Sequence, residues 1–233
     1  MTPSIYMIPS DLGKENSSFL FPEFNTSLIE SLSHFIVEDV RSARRFIRSL
    51  CKTKNIDEIT FYTLNKHTEY SEIETFINPI FKGFSIGVIS EAGCPGVADP
   101  GAVIVALAHE KDIRVIPLIG PSSILLSLMA SGFNGQSFTF NGYIPLKNDR
   151  IKFLKQMEYL VTSQNQTQIF METPYRNVKL LDELLQHLND NIKLCIACNV
   201  AAENEYIKTK TVVNWKKKKP DIDKKPTIFI LGR

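Results

Sequence analysis

The chain alternates between short apolar runs, which are typical of buried strands, and longer segments with helical spacing. In the first half, strands are predicted at SIYMIP, HFIVED, DEITFYTL, FSIGVIS and IRVIPLIG. Helices are predicted next to them at SARRFIRSLC, with Ser42 as its N-cap, and at SEIETFINPIFKG, PGAVIVALAHEKD and PSSILLSLMASG. Alternation of this kind favours an α/β fold with a largely parallel sheet.

The second half repeats the alternation. Strands are predicted at SFTFNGYI, TQIFMET, KLCIACNVAA and PTIFILGR, and helices at RIKFLKQMEYLVTS and NVKLLDELLQHLND. The segment WKKKKPDIDKKP, before the last strand, is predicted to be a charged loop. We place a domain boundary after Ile119, which gives domains of residues 1–119 and 120–233, both of ordinary domain size.

Composition and hydropathy argue against a membrane protein. Of the 233 residues, 43% are hydrophobic, and a net charge of +2 neither demands nor excludes a nucleic-acid partner. The longest apolar runs are shorter than the roughly 18 to 20 residues that span a bilayer. The first residues also lack a basic stretch followed by an apolar one, which marks a secretory signal. We therefore expect a cytoplasmic protein that does not contact membranes.

Two cysteines, Cys195 and Cys198, form a CxxC motif that could belong to a redox or zinc site. The segment KLCIAC also has the pattern of a buried strand, in which these two side chains would point to opposite faces. No second cysteine or histidine pair completes a set of four ligands, so we expect no metal. The GxSxG and HExxH motifs of hydrolases and zinc proteases are absent from the sequence as well.

Two loops stand out as candidate ligand sites because each follows a predicted core strand and precedes a helix. SEAGCPGVADPG (90–101) follows FSIGVIS, and GPSS (120–123) follows IRVIPLI. In α/β sheets, ligands bind beyond the carboxyl ends of the strands, and bare glycines let a ligand approach the backbone. Two tight turns without a ligand are an equal alternative from composition alone. Neither loop is a GxGxxG or a Walker loop, which disfavours a nicotinamide or nucleoside triphosphate.

Four motifs occur in order along the chain: VEDVRSARRFI, SEAGCPGVADPG, IGPSS and FMETPYR. Together they resemble the tetrapyrrole methylase superfamily, the class III S-adenosylmethionine (SAM)-dependent methyltransferases. Within it, they are most similar to the ribosomal RNA small subunit methyltransferase I branch. The loop S-D-A-G-T-P-x-x-S-D-P-G of that branch is followed nearly position by position. The first loop of this chain, IPSDLGKEN, departs from the T-P-I-G-N-L of the branch.

The resemblance implies two α/β domains, with a mainly parallel sheet in the first and a mixed sheet in the second. It further implies a homodimer that binds SAM in the cleft between the two domains. The SEAGCPGVADPG loop would hold the methionine part of SAM, and residues of the second domain would contact its nucleoside. The cofactor-binding residues carried over in this way are Leu12, Gly93, Cys94, Val97, Ser122, Ser123, Met171, Ala201, Pro226 and Thr227.

Candidate substrate residues follow two of the predicted strands. Helical spacing places four arginines largely on one side of the helix after HFIVED, where they could face RNA phosphates. A solvated helix face explains such a cluster equally well. The candidates on this helix are Arg41, Arg44, Arg45 and Arg48. Further candidates are Tyr175 and Arg176, after TQIFMET, and the lysine run 216–219.

Glu38, in the VEDVR segment, is the carboxylate that we expect to act as a general base if a hydroxyl is the acceptor. A surface acid at a strand end, or a partner of a helix N-terminus, is at least as good an interpretation. The predicted function is SAM-dependent methylation of RNA and, by resemblance, ribose 2′-O-methylation of ribosomal RNA. Two alternatives stay open: a methylase of a tetrapyrrole or a protein, and a diverged SAM-binding protein without catalysis.

Overall fold

The structure is a computed structural model that describes residues 2–13, 20–65, 67–145 and 149–233. Three residues of the first loop, IPSDLGKEN, lie outside this described part: Lys14 to Asn16. The chain divides into two units, Met1–Ser122 and Ser123–Arg233. This division rests on proximity in space and does not test independent folding, so the domain boundary after Ile119 stays a prediction.

The first unit contains a five-stranded sheet in which every neighbouring pair is parallel. Its strands are β1 (Ser4–Ile8), β2 (His34–Val37), β3 (Thr60–Thr63), β4 (Ile86–Ile89) and β5 (Arg114–Pro117). They lie side by side in the order β3-β2-β4-β1-β5. All five carboxyl ends therefore meet at one edge of the sheet, where ligands bind in folds of this type.

Helices cover both faces of this sheet. They are α1 (Glu23–Ser31), α2 (Val40–Leu50), α3 (Tyr70–Phe76), α4 (Asn78–Phe81) and α5 (Gly101–Glu110). Helices α1 and α2 share an apolar cluster with Ile8 of β1, while α3 and α5 share another with Met7. The chain thus leaves the adjacent strands β1 and β4 toward opposite faces. A crevice opens between strands at such a switch point.

Two predicted helices differ in detail from the observed ones. Helix α2 begins at Val40, because the Asp39 side chain accepts a 2.7 Å hydrogen bond from the Ser42 backbone N–H; the prediction of Ser42 as the N-cap was wrong. The helix predicted over SEIETFINPIFKG is interrupted after Phe76. Pro79, which has no N–H to donate, lies in the first turn of the short helix that follows.

The second unit contains a mixed five-stranded sheet, in the order β6-β7-β10-β8-β9. Only β6 and β7 are parallel, and the other pairs are antiparallel. Because the first sheet is parallel and the second is mixed, the predicted fold class is confirmed. The elements are α6 (Ser123–Ser131), β6 (Phe138–Tyr143), α7 (Arg150–Gln164), β7 (Thr167–Met171), α8 (Asn177–His187), β8 (Lys193–Cys198), β9 (Tyr206–Thr211), α9 (Val212–Lys217) and β10 (Thr227–Gly232).

The charged segment before β10 is partly helical, which the sequence did not predict. Trp215 is fully buried in α9 and donates its indole N–H to the Leu194 carbonyl at 2.8 Å. Burial of this large ring provides a reason for the helix. Lys216 pairs with Asp190, and Lys219 with Asp182. Two of the four lysines at 216–219, which are candidate phosphate contacts, therefore already form ion pairs.

The two CxxC cysteines lie in β8 and are both buried. Cys198 belongs to the core beneath α7 and α8, together with Leu194 and Ile196, whereas Cys195 does not. Their side chains therefore point to opposite faces of the sheet. In the described ranges, no group of three or more histidine, cysteine or acidic residues is placed to hold a metal ion.

Candidate functional site

Three loops meet beyond the carboxyl ends of β4, β1 and β5, which are neighbours in the first sheet. Gly93 accepts a 2.9 Å hydrogen bond from the Ser10 N–H and donates to the Asp11 carbonyl at 3.3 Å. A Cβ added to Gly93 would lie 3.4 Å from Leu12 Cδ2 and 3.6 Å from the Pro121 carbonyl oxygen. The candidate loop is thus bound to the loop before it and walled by the one after it.

The loop that contains Gly93 is held from inside by a carboxylate. Gly93 and Gly96 have φ angles of +74° and +83°, a backbone region that favours glycine. Oδ1 of Asp99 accepts hydrogen bonds from the N–H groups of Gly96 (2.8 Å) and Gly101 (2.7 Å), and so ties the loop to the start of α5. The other oxygen, Oδ2, has no hydrogen-bond partner among the described residues. The loop is thus preorganised, with Gly93 buried at its base and Ala92, Val97 and Ala98 on its exposed side.

Cys94 joins the same loop to the one after β5. Its thiol donates to the Pro121 carbonyl at 3.6 Å and also hydrogen-bonds Ser122. Burial raises the pKa of the Cys94 thiol, and the negative charge of Asp99 raises it further. Cys94 is therefore a neutral hydrogen-bonding wall of this site and lacks the thiolate character of a nucleophile.

Carboxylates converge on the strand ends beside these loops. Glu38 follows β2, and its Oε1 accepts a 3.2 Å hydrogen bond from the Glu91 N–H. Partial burial raises the pKa of the Glu38 carboxyl, and the charges of Asp99 and Glu91 raise it further. The pKa of Glu91 is also raised, by burial and then by Asp39. This end of the sheet favours a positive ligand and offers a carboxylate that binds a proton more readily than usual.

An open groove runs from these strand ends along α2 and is lined by arginines. The structure separates the four into two groups. Arg44 pairs with Asp57 and turns to the side of the helix where that residue lies. Within the described ranges, the other three make no ion pair at close range, although the charge of Arg45 acts on Asp39 and Glu91. The exposed, unneutralised stripe consists of Arg41, Arg45 and Arg48.

In the second unit, the strand register brings the predicted nucleoside contacts to one edge of the sheet. Met171 at the end of β7 pairs with Ile228, and Thr227 at the start of β10 pairs with Cys198 at the end of β8. The Pro226 carbonyl accepts a 2.9 Å hydrogen bond from the Asn199 N–H, just before Ala201. The structure thus brings Met171, Ala201, Pro226 and Thr227 to the same edge.

The remaining predicted site residues lie on loops, at the start of a helix and in the turn after β7. Ser122 lies on the loop after β5, Ser123 is the first residue of α6, and Val97 is exposed on the glycine-rich loop. Tyr175 is 80% exposed in the turn after β7 and is open to a partner. Arg176 is already engaged, since its guanidinium contacts Glu172 at 2.9 Å and the Thr173 hydroxyl at 3.0 Å.

Sequence reasoning missed three residues that organise these edges: Asp99, Arg150 and Glu172. Asp99 lies inside the motif that was recognised, and its spacing to Gly96 and Gly101 would have been the signal for a loop clamp. Arg150 and Glu172 form a buried ion pair at 2.9 Å. Glu172 also lies inside a recognised motif, FMETPYR, but Arg150 does not, so nothing local predicts the pair.

The chain is similar to known proteins both in sequence and in fold. No family model matches the chain. Proteins named ribosomal RNA small subunit methyltransferase I are similar in sequence. The one from Vibrio cholerae is 28% identical over 84% of this chain, which spans 64% of that relative. The one from Buchnera aphidicola subsp. Schizaphis graminum is 27% identical, covering 99% of this chain and 78% of the relative. The one from Hydrogenobaculum sp. is 28% identical, covering 98% of this chain and 95% of the relative.

Solved structures with the same fold are methyltransferases. The match to the methyltransferase CobJ covers 99% of this chain and 94% of the CobJ chain, with a TM-score of 0.66 and 13% sequence identity. The match to a uroporphyrin-III C-methyltransferase from Thermus thermophilus, complexed with S-adenosylhomocysteine, covers 99% of this chain and 97% of the other. Its TM-score is 0.59 and its sequence identity is 14%. The chain therefore has the fold of the tetrapyrrole methyltransferases, and its predicted resemblance to the ribosomal RNA small subunit methyltransferase I branch is confirmed.

Proposed function

We propose that this chain is a SAM-dependent methyltransferase that methylates ribosomal RNA, with a ribose 2′-hydroxyl as the acceptor. The observation that carries the proposal is the meeting of three strand-end loops at Gly93, which is walled by Leu12 and Pro121 beside a group of carboxylates. The names of the relatives similar in sequence support RNA as the substrate. The fold supports SAM as the cofactor.

Backbone groups and neutral walls hold the cofactor in this proposal. In the first unit, the Gly93 loop receives the methionine part, with the side chains of Leu12, Cys94, Val97 and Ser122 around it and Ser123 following. In the second unit, Met171, Ala201, Pro226 and Thr227 contact the nucleoside. When bound, SAM supplies a methyl group on a positively charged sulfur, which keeps the bonding electron pair as the methyl leaves. The nearby carboxylates favour that positive charge.

Glu38 acts as the proton acceptor in the proposed reaction. The acceptor hydroxyl forms the new bond between oxygen and carbon, and its proton moves to a Glu38 carboxylate oxygen. The Glu91 N–H, 3.2 Å from Oε1, holds that carboxylate in place. The raised pKa of Glu38 suits this role, because a base is most effective when its pKa approaches the working pH.

RNA phosphates are proposed to lie along the arginine stripe of α2. Arg41, Arg45 and Arg48 follow at one helical turn from each other, so they span about 10 Å at 1.5 Å per residue. The groove beside them reaches Glu91, whose backbone N–H contacts Glu38. A polyanion would thus keep its phosphates at the basic end and present a hydroxyl to the carboxylates. Tyr175 and Arg176 are proposed as further substrate contacts of the second unit.

The stripe predicts a graded response to salt. Arg41→Gln and Arg48→Gln are each expected to weaken RNA binding and to lower the slope of log affinity against log salt by about 1, since each phosphate contact releases condensed counterions. Arg44→Gln is the matched control on the same helix, because Asp57 already neutralises that guanidinium. Fluorescence anisotropy with a ribosomal RNA fragment at several salt concentrations measures the slope. A slope lowered as much by Arg44→Gln would contradict the assignment.

The function is tested in two steps. SAM is expected to raise the melting temperature of the purified protein, because a ligand that binds only the folded state stabilises it. Labelled SAM is then incubated with small ribosomal subunits from a strain lacking the gene, and label is expected in the RNA. No thermal shift would overturn SAM binding. Label in a protein or tetrapyrrole fraction would show that the enzyme methylates that substrate and not RNA. SAM binding without methyl transfer would favour a SAM-binding protein without catalysis.

We also propose that the enzyme works as a homodimer in the cytoplasm. The resemblance to the tetrapyrrole methylases supports the dimer, and an RNA substrate made in the cytoplasm supports the location. Within the described ranges, no helix is long and apolar enough to cross a bilayer. Light scattering of the eluting protein would measure its mass.

A further inference from the structure

A buried ion network lies beside the strand ends of the second unit and takes no part in the chemistry proposed above. Arg150, the first residue of α7, donates through Nη2 to Glu172 at 2.9 Å and through Nη1 to Glu183 at 2.7 Å. Its Nε donates to the Pro145 carbonyl at 2.8 Å. The side chains of Arg150 and Glu172 are only 7% and 1% exposed. One guanidinium therefore joins the segment after β6, the end of β7 and helix α8.

Stability alone explains this network poorly. Removing two charges from water costs about as much free energy as their attraction returns, and apolar residues of similar volume often replace a buried pair without loss of stability. A guanidinium is planar and presents its donors in a fixed fork, so it orients its partners more strictly than an ammonium group does. The network is better explained by the groups that it orients.

The group that it orients is the turn that follows β7. Glu172 comes directly after Met171, and its Oε1 accepts from the Thr173 N–H at 2.8 Å and from Arg176 at 2.9 Å. Its other oxygen, Oε2, accepts from Arg150. Both oxygens are thus used, and the position of the buried carboxylate sets the path of the backbone at the end of the strand.

We propose that Arg150 is a positioning residue for cofactor binding. It holds Glu172, and through Glu172 it holds the backbone from Met171 to Thr173 in the conformation that receives the nucleoside of SAM. This inference rests on the proposed function. It adds a residue that touches neither cofactor nor RNA and acts through Glu172.

Substitution of Arg150 should separate binding from chemistry. Contacts to the nucleoside are equal in the ground state and the transition state, so loosening them raises KM and leaves kcat unchanged. Arg150→Met is expected to raise the Kd and KM for SAM at least about tenfold, as misplaced binding groups do. The kcat at saturating SAM should stay as in the wild type. Arg150→Lys should recover only part of the affinity.

A double variant distinguishes positioning from simple stabilisation. Arg150→Met leaves the buried Glu172 without its main partner, so the melting temperature should fall. Arg150→Met combined with Glu172→Met replaces the pair by apolar side chains, and the melting temperature should recover. We expect the Kd for SAM to stay raised in the double variant. Lys155→Met, which removes an exposed ion pair with Glu158 on the same helix, is the control and should leave the Kd unchanged.

Isothermal titration calorimetry with SAM on the full chain provides the measurement. A double variant that recovers both melting temperature and affinity would overturn the proposal, because the network would then be structural only. So would wild-type affinity in Arg150→Lys and Arg150→Met. If Arg150→Met does not fold, Arg150→Lys and the double variant decide. Failure of the wild-type protein to bind SAM would instead reject the proposed function, and this inference with it.

Discussion

Gly93→Trp is expected to reduce SAM binding below detection while the protein stays folded. The indole would start from a Cβ that already lies at contact distance from Leu12 (3.4 Å) and from the Pro121 oxygen (3.6 Å). Because Gly93 is buried, the ring would push these two walls of the site apart. The φ angle of +74° adds a strain of about 1–3 kcal/mol for any residue with a side chain. Calorimetry with SAM, together with a thermal melt, measures both effects.

Gly83→Trp is the matched control for this prediction. Gly83 belongs to the same unit and also has a positive φ, of +92°, but no atom of the described part of the chain lies within 4 Å of an added Cβ. It precedes β4 and so lies at the opposite end of that strand from the glycine-rich loop. Both variants should lose stability through the positive φ, Gly93→Trp more so because Gly93 is buried, and only Gly93→Trp should lose SAM binding. Equal affinity in the two variants would show that the Gly93 loop does not bind the cofactor.

Glu38→Gln is expected to lower kcat by a factor of about 10² to 10⁴, the usual contribution of a general base, with little change in the Kd for SAM. Glutamine keeps an oxygen that can accept the Glu91 N–H, so the local geometry should survive. Because the base must be ionised to accept a proton, the rate falls as the pH drops through the pKa of Glu38. Since that pKa is raised, the acidic limb of the profile should lie above the ordinary value of 4.5.

Two further measurements make the assignment of Glu38 specific. Glu91→Gln removes a negative charge that raises the pKa of Glu38, so the acidic limb should move to lower pH without a large loss of kcat. A raised carboxyl pKa also means that ionised Glu38 costs folding free energy at neutral pH. Glu38→Gln should therefore melt at a slightly higher temperature than the wild type. An unchanged kcat in Glu38→Gln would reject the general base.

The sequence predicted nine of the ten described strands, missed β9, and placed the boundaries of the helices less well. Apolar runs such as FSIGVIS fall on buried strands because burial on both faces demands unbroken apolar residues. The start of α2 was misplaced because Asp39 and Ser42 are both good N-caps, and only the local backbone decides which side chain accepts the hydrogen bond. Helix α9 was missed because a lysine-rich segment does not reveal that Trp215 is fully buried.

The sequence by itself determined the fold class, the ordered motifs and the loops at the carboxyl ends of the strands, because these depend on local patterns of glycine, proline and apolar residues. The tertiary structure alone decided which charges are free. Arg44 and Arg45 are neighbours in the sequence, yet only Arg44 meets Asp57. Arg150 and Glu172 are 22 positions apart and form one buried pair. Charge pairing depends on distances across the fold, and those are set when the strands and helices pack.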